Sequence, residues 1–369
     1  LFRVYPKEES YPDLKTWIQK TKRTPLNMVP LIGHGSARIG VNGKKANKLT
    51  EKQRKEMLDT IEKNLQQGAF GVSFGLMYEP GMYAPYDELF EVAHLVKKYD
   101  RILTVHNRAQ SRISTSYSPP IGGRAHNLRA LDEMITLAED TEVRLQNSHL
   151  IFVGKKTIDT YKETMELIDQ AIADGVDFGF DIFSLTYGAS IITVILPGWY
   201  LQLSEEKRNA WFVRLRLWIE IHVAKKALGL DFSDIRIANG AGKIDQYQGM
   251  YVDEVAREMG CSPYQAYIRL VNQSEGKAGV YIRKYSTDDI IFSLVNHEKS
   301  LLMTDAWVQS RGLQNGAAYY GMIKFVLMAN HAKIRLEDVI AKMTGLTAKR
   351  FQIANRGKIA EGYFADLTI

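Results

Sequence analysis

The chain has 369 residues, 45% of them apolar, which is ample for a large core and exceeds the roughly 250 residues of a lone α/β barrel, so one elaborated domain or two are expected. Its formal charge of +6 is spread among 42 acidic residues without a basic tract, which leaves no footprint for nucleic acid. A single cysteine, Cys261, excludes an internal disulfide framework and a cysteine-rich metal motif and points to a cytoplasmic setting, and without a run near the roughly 18 apolar residues of a membrane helix no membrane partner is expected.

Residues 27–32 read as a strand that runs into Gly33-His34-Gly35. Thr50 to Gln53 form a capping box, Met57, Ile61 and Leu65 recur every four residues, and Gly68 closes that helix. Then come a strand at 70–74, a loop rich in Gly, Pro and Tyr, a helix at 89–96, a strand at 102–105 and a helix at 128–138. A strand at 143–147 follows; Ile158, Tyr161, Met165, Ile168 and Ile172 mark one helix face, and 176–183 is the next strand. This alternation is that of parallel strands joined by crossover helices, and no fixed repeat suggests a solenoid, which leaves a (β/α) barrel or an open doubly wound sheet. From about 204 to 287 the rhythm breaks into helical, charge-rich sequence, read as an insertion that acts as a lid, before a strand resumes at 300–304. The expected domains are a first barrel part over 1–203, the insertion over 204–287, a last barrel part over 288–355 and the start of a small β-domain over 356–369. Both ends, Leu1 and Ile369, are expected to be cut.

Three inferred strands end on a group able to bind a metal or move a proton: His106, His149 and Asp305. The carboxyl ends of barrel strands converge on one mouth, so these side chains would meet there. Neutral imidazole suits zinc, and a neighbouring carboxylate can take a proton from metal-bound water and pass it to a leaving amine. A lone histidine at a strand end is more often structural, but two on successive strands with an aspartate on a later one favour a site. His34 could hydrogen-bond in that site, although its flanking glycines suit a tight turn and favour structure. Tyr78 either closes over a substrate or packs on Pro80 and Tyr83, and Arg108 binds either a substrate carboxylate or one from the barrel. His94, His126, His222, His297 and His331 sit in helical stretches and read as ordinary. Cys261 reads as a buried structural thiol at a helix boundary.

Two segments, Gly33-His34-Gly35-Ser36-Ala37-Arg38 and the run from Gly71-Val72-Ser73-Phe74-Gly75 to Gly81-Met82-Tyr83-Ala84, resemble consecutive signatures of the N-acyl-D-amino-acid deacylases of the amidohydrolase superfamily. His106-Asn107-Arg108, Ser148-His149, Leu196-Pro197-Gly198-Trp199, Thr304-Asp305, Lys342-Met343-Thr344 and Arg356-Gly357-Lys358 follow in that family's order, across almost the whole chain. The resemblance implies a (β/α)8 TIM-type barrel of the metal-dependent hydrolase kind, with its first strands missing from the chain and a helical insertion before the last strand. It makes His106 and His149 zinc ligands on the fifth and sixth barrel strands and Asp305 the catalytic carboxylate on the eighth. One or two divalent ions are implied, their remaining ligands expected upstream of Leu1. Ile151 and Gly316-Ala317-Ala318 stand where the family carries basic anchors for a substrate carboxylate, so specificity is expected to have moved. The function implied is deacylation of an N-acyl-D-amino acid or related small N-acyl compound, with a homo-oligomer left open. Its alternatives are a cyclic-amide hydrolase of hydantoinase-like or dihydroorotase-like type, or a barrel subunit without catalysis.

Overall fold

A computed structural model describes residues 11, 13–21, 26–114, 116–117, 123–201, 203–306, 308–331 and 334–368; Leu1, Trp307 and Ile369 lie outside them. Six strands form one parallel sheet: β1 (Leu31–Gly33), β2 (Gly71–Gly75), β3 (Ile102–His106), β4 (Arg144–Asn147), β5 (Phe178–Ile182) and β9 (Ser300–Leu302), paired in that order. The remaining three strands, β6 (Tyr187–Ile191), β7 (Ile235–Asn239) and β8 (Gly279–Arg283), form an antiparallel sheet in the order β6-β8-β7. Every residue of β5 is buried, as expected of a parallel strand covered on both faces.

The crossover helices form where local sequence starts and stops them. Thr50 caps the helix Glu51–Gln66 through its side chain and the Gln53 amide at 3.3 Å, while the Gln53 side chain accepts from Thr50 N at 3.0 Å. Its stripe of Met57, Ile61 and Leu65 is at most 2% exposed, and each such burial is worth about 1.5–3 kcal/mol against leaving the side chain in water. The helix Tyr86–Lys98 carries Asp87 and Glu88 in its first turn and Lys97 and Lys98 in its last, in line with the helix dipole. These stripes and the sheet enclose one core, from Met57 through Phe74, Leu103, Leu145 and Phe180 to Val339. A second core lies between the antiparallel sheet and its helices and includes Ile192, Leu217, Ile237, Tyr267 and Val280.

The segment 204–287 is helical only in part, because β7 and β8 lie within it, β8 pairing on one side with β7 and on the other with β6 upstream of the segment. Their five-residue runs are too short for periodicity to separate from loop, and only the long-range register identifies them. The stripe expected over 158–172 is split into helices Lys155–Ile158 and Tyr161–Ala173. Residues 356–368 hold turns, with Arg356 paired to Asp366. His297 caps the end of helix Asp288–Asn296 and bonds Asp169 at 2.8 Å. Cys261, expected to be buried, is only partly covered between two helices.

Candidate active site

The register of the parallel sheet brings its carboxyl edge into line. Gly75 of β2 lies opposite His106 of β3, Val105 opposite Asn147 of β4, and Ile182 of β5 opposite Leu302 of β9. His106 closes β3, His149 follows β4 by two residues and Asp305 follows β9 by three, so all three emerge on one side. His106 Nδ1 lies 2.7 Å from His149 Nε2, with the rings edge-to-face at 4.4 Å between centroids. The loop after β2 covers this pair: Met77 Sδ is 3.5 Å from His106 Nε2, and the Tyr78 ring lies 4.7 Å from the His106 ring. The Tyr78 ring is tilted by 47° against that of His106, and Tyr78 keeps 46% exposure.

The backbone pays for this convergence with two unusual conformations. His149 and Asp305 have φ of 41° and 45°, in the left-handed region that costs a non-glycine residue free energy and that concentrates at functional sites. His149 is held there by its own N–H, which donates to Asp181 Oδ1 at 2.7 Å. Asp181 also accepts from Gln146 Nε2 at 2.9 Å. Burial raises the Asp181 pKa and the charge of Asp305 adds to the rise, against those hydrogen bonds and His149. Asp305 is open to solvent, yet the protein around its carboxyl raises its pKa by desolvation, with His149 pulling the other way. Burial drives the His106 pKa well below 6.5, and the His149 ring adds to the effect, so His106 is neutral at pH 7 with a lone pair to offer. Nδ1 of His149 is buried with no hydrogen-bond partner among the described residues.

Sequence reasoning missed two members of this group. Asp181 is a carboxylate inside the otherwise apolar run Phe178–Ile182, and a charge in a fully buried strand is the signal that could have found it. Tyr285 is buried, and Asp305 and Tyr78 both add to the rise that burial gives its pKa, so it lies near this group. Nothing in its sequence surroundings marks it.

Arg108 and His34 are placed elsewhere. Arg108 gives Nε and Nη2 to Glu133, the shortest contact being 2.8 Å, and donates to Met82 O at 2.8 Å and Ala84 O at 3.1 Å. Its guanidinium thus serves a carboxylate of the scaffold and the loop that carries Tyr78. His34 is the first residue of helix His34–Asn42, not part of a tight turn, because Gly33 is extended and His34 continues into helical backbone. The His34 ring is fully buried and bonds Glu88 Oε1 at 2.8 Å, which Arg38 also reaches at 3.0 Å; no atom of it is open to a substrate.

The atoms here suited to a divalent cation are His106 Nδ1 and His149 Nε2, with the carboxylates of Asp181 and Asp305 nearby. Among the described residues no three metal-capable side chains converge closely enough to form a complete cluster. The helices and parallel strands that hold these groups recur in solved structures. An N-acyl-D-glutamate deacylase from Bordetella bronchiseptica, solved with zinc and a phosphonate mimic of the tetrahedral intermediate, superposes with a TM-score of 0.73 at 20% identity over 98% of this chain and 66% of that one. A D-aminoacylase structure superposes with a TM-score of 0.70 at 21% identity over 92% of this chain and 61% of that one.

The chain resembles the N-acyl-D-amino-acid deacylases of the amidohydrolase superfamily. The curated N-acyl-D-aspartate deacylase of Alcaligenes xylosoxydans xylosoxydans is 22% identical over 365 residues, covering 97% of this chain and 62% of that protein. The D-aminoacylase of the same organism is 24% identical over 366 residues, covering 96% and 63%. The chain thus spans about three-fifths of the length of these relatives. No family model matches it.

Proposed function

We propose that this chain carries most of the catalytic barrel of a metal-dependent amidohydrolase that cleaves the C–N bond of a small N-acyl compound. The observation that carries this reading is the 2.7 Å approach of His106 Nδ1 and His149 Nε2 at the carboxyl edge of a parallel sheet, with Asp305 on the same edge. The donors fit a divalent ion in kind: the facing imidazole nitrogens now share a hydrogen bond, and moving its proton to the other nitrogen of the donor ring would free both lone pairs, while burial favours the neutral form of His106. They number two of the ligands such a site needs.

His106 and His149 would hold zinc, which supplies carbonyl polarisation and a lowered pKa for bound water. Asp305, with its pKa raised by desolvation, takes a proton from water and returns it to the departing nitrogen, forming an amine and a carboxylic acid. Asp181 fixes the His149 backbone, and Met77 and Tyr78 shield the His106 ring from water. The order of parallel strands and crossover helices supports a (β/α)8 barrel, with 204–287 as a cover over its mouth. Ile151 packs into the second core and offers no cation, which supports N-acyl substrates without a free carboxylate.

Two measurements test this. Metal content by mass spectrometry should fall in His149→Ala, and unchanged content would refute the ligand assignment. Hydrolysis of N-acyl-D-amino acids compared with their amides and esters should favour the uncharged forms, and a strong preference for the free acids would overturn the substrate reading alone.

A further inference from the structure

The helix Trp211–Leu228 is apolar on two opposite faces. Val213, Leu217 and Ile221 are buried in the second core. Trp211, Phe212, Leu215, Trp218, Ile219 and Val223 are exposed by 76, 60, 50, 46, 47 and 44%. At 3.6 residues per turn these six fall within an arc of about 140°, opposite the buried three. Solvent-facing helix surfaces are normally charged, and a contiguous apolar patch of this kind marks a contact surface.

The charges around the patch say what kind of contact. On the helical wheel Arg214 and Arg216 border it on its two sides, and Lys226 follows toward the C-terminus. The one acidic residue of the helix, Glu220, faces away and is taken by Arg216 at 2.7 Å and by Trp199 Nε1 at 2.7 Å. A second copy docked face to face would bring these cations against their own kind. An anionic bilayer offers what the helix lacks, an apolar layer for the indoles and aliphatic side chains and phosphates or carboxylates for Arg214 and Lys226, Arg216 being already held by Glu220.

We propose that the Trp211–Leu228 face seats the protein on an anionic lipid surface, with the helix lying in the plane of the headgroups. No described helix is long and apolar enough to span a membrane, and this one interrupts its apolar residues with charges throughout. The sequence-based expectation of no membrane partner rested on the absence of a spanning run. That criterion does not detect a helix whose apolar residues are divided between two faces.

The test is sedimentation of the full chain with extruded vesicles of phosphatidylcholine, with and without phosphatidylserine. The expected result is binding to the anionic vesicles, weakened by salt, with tryptophan emission quenched by brominated acyl chains. Trp218→Ser combined with Ile219→Ser should weaken binding by at least about tenfold, and Arg214→Gln by about fivefold on anionic vesicles only. Because these side chains are exposed, the thermal midpoint should stay that of the parent chain, which separates lost binding from lost folding. No binding to anionic vesicles, or binding that survives the double substitution, would overturn the proposal. So would self-association in sedimentation velocity that the same substitutions abolish while vesicle binding is absent, since the occupant would then be a second copy.

Discussion

Glu133→Gln keeps the shape of a side chain while removing its charge from the cluster that ties the Tyr78 loop to β3. The Arg108 side chain is 8% exposed and the Glu133 side chain 19%, and three of their nitrogen–oxygen contacts lie between 2.8 and 3.2 Å. Removing one partner of a buried pair costs about 3–5 kcal/mol, because the charge left behind remains desolvated. Glu133 is partly wet and a glutamine oxygen still accepts one N–H, so about 2–3 kcal/mol is expected here. Urea unfolding measures that loss. Arg108 also donates to Met82 O and Ala84 O, so the amides of 76–84 should exchange faster while those of β3 and β4 keep their protection. A loss under about 0.5 kcal/mol with unchanged exchange would refute the idea that this pair holds the loop over His106.

Asp305→Asn should keep its fold and most of its metal while turnover drops by about a hundredfold to ten-thousandfold, and near-parental turnover would remove Asp305 from the proton transfer. Burial lowers the Lys342 pKa from 10.5 to about 8, with Asp338 and Glu298 opposing the shift. The unfolded chain then binds more protons than the folded one between about pH 8 and 10.5, so this residue's penalty, about 3 kcal/mol, is full below pH 8 and fades as pH rises. Stability measured against pH should therefore rise less across that window in Lys342→Met, and identical slopes would show that Lys342 carries no such penalty. A Cβ added at Gly71 would stand 1.9 Å from the carbonyl oxygen of Ile102, so Gly71→Ala should destabilise by about 3 kcal/mol, the upper end of what overpacking usually costs, in urea unfolding, and a neutral result would show that β2 can move off β3.

The outline of the candidate site was legible because its parts lie at strand ends. A residue that closes an apolar run in an alternating β/α sequence must face the carboxyl edge of the sheet, and His106, His149 and Asp305 all do. Arg108 shows the limit of that rule. It follows the same strand, and whether it met a substrate or a scaffold carboxylate depended on Glu133, 25 residues away on the helix His126–Thr141. For His34 the favoured structural role agrees with its burial against Glu88, and only the local form differed, since two glycines beside a histidine fit a turn as well as the start of a helix, and the backbone after Gly33 took the helix.

The sequence by itself determined what short-range chemistry controls: the capping box at Thr50, the apolar stripe of Met57, Ile61 and Leu65, the succession of strands and crossover helices, and the residues standing at strand ends. Only the tertiary structure decided the rest. It paired β6, β7 and β8 across some 90 residues, brought Asp181 and Tyr285 near the candidate site, and turned His149 into left-handed backbone so that its ring meets His106. Those outcomes depend on register and on hydrogen bonds between distant segments, such as His149 N–H to Asp181, whose free energy exists only once the strands have come together.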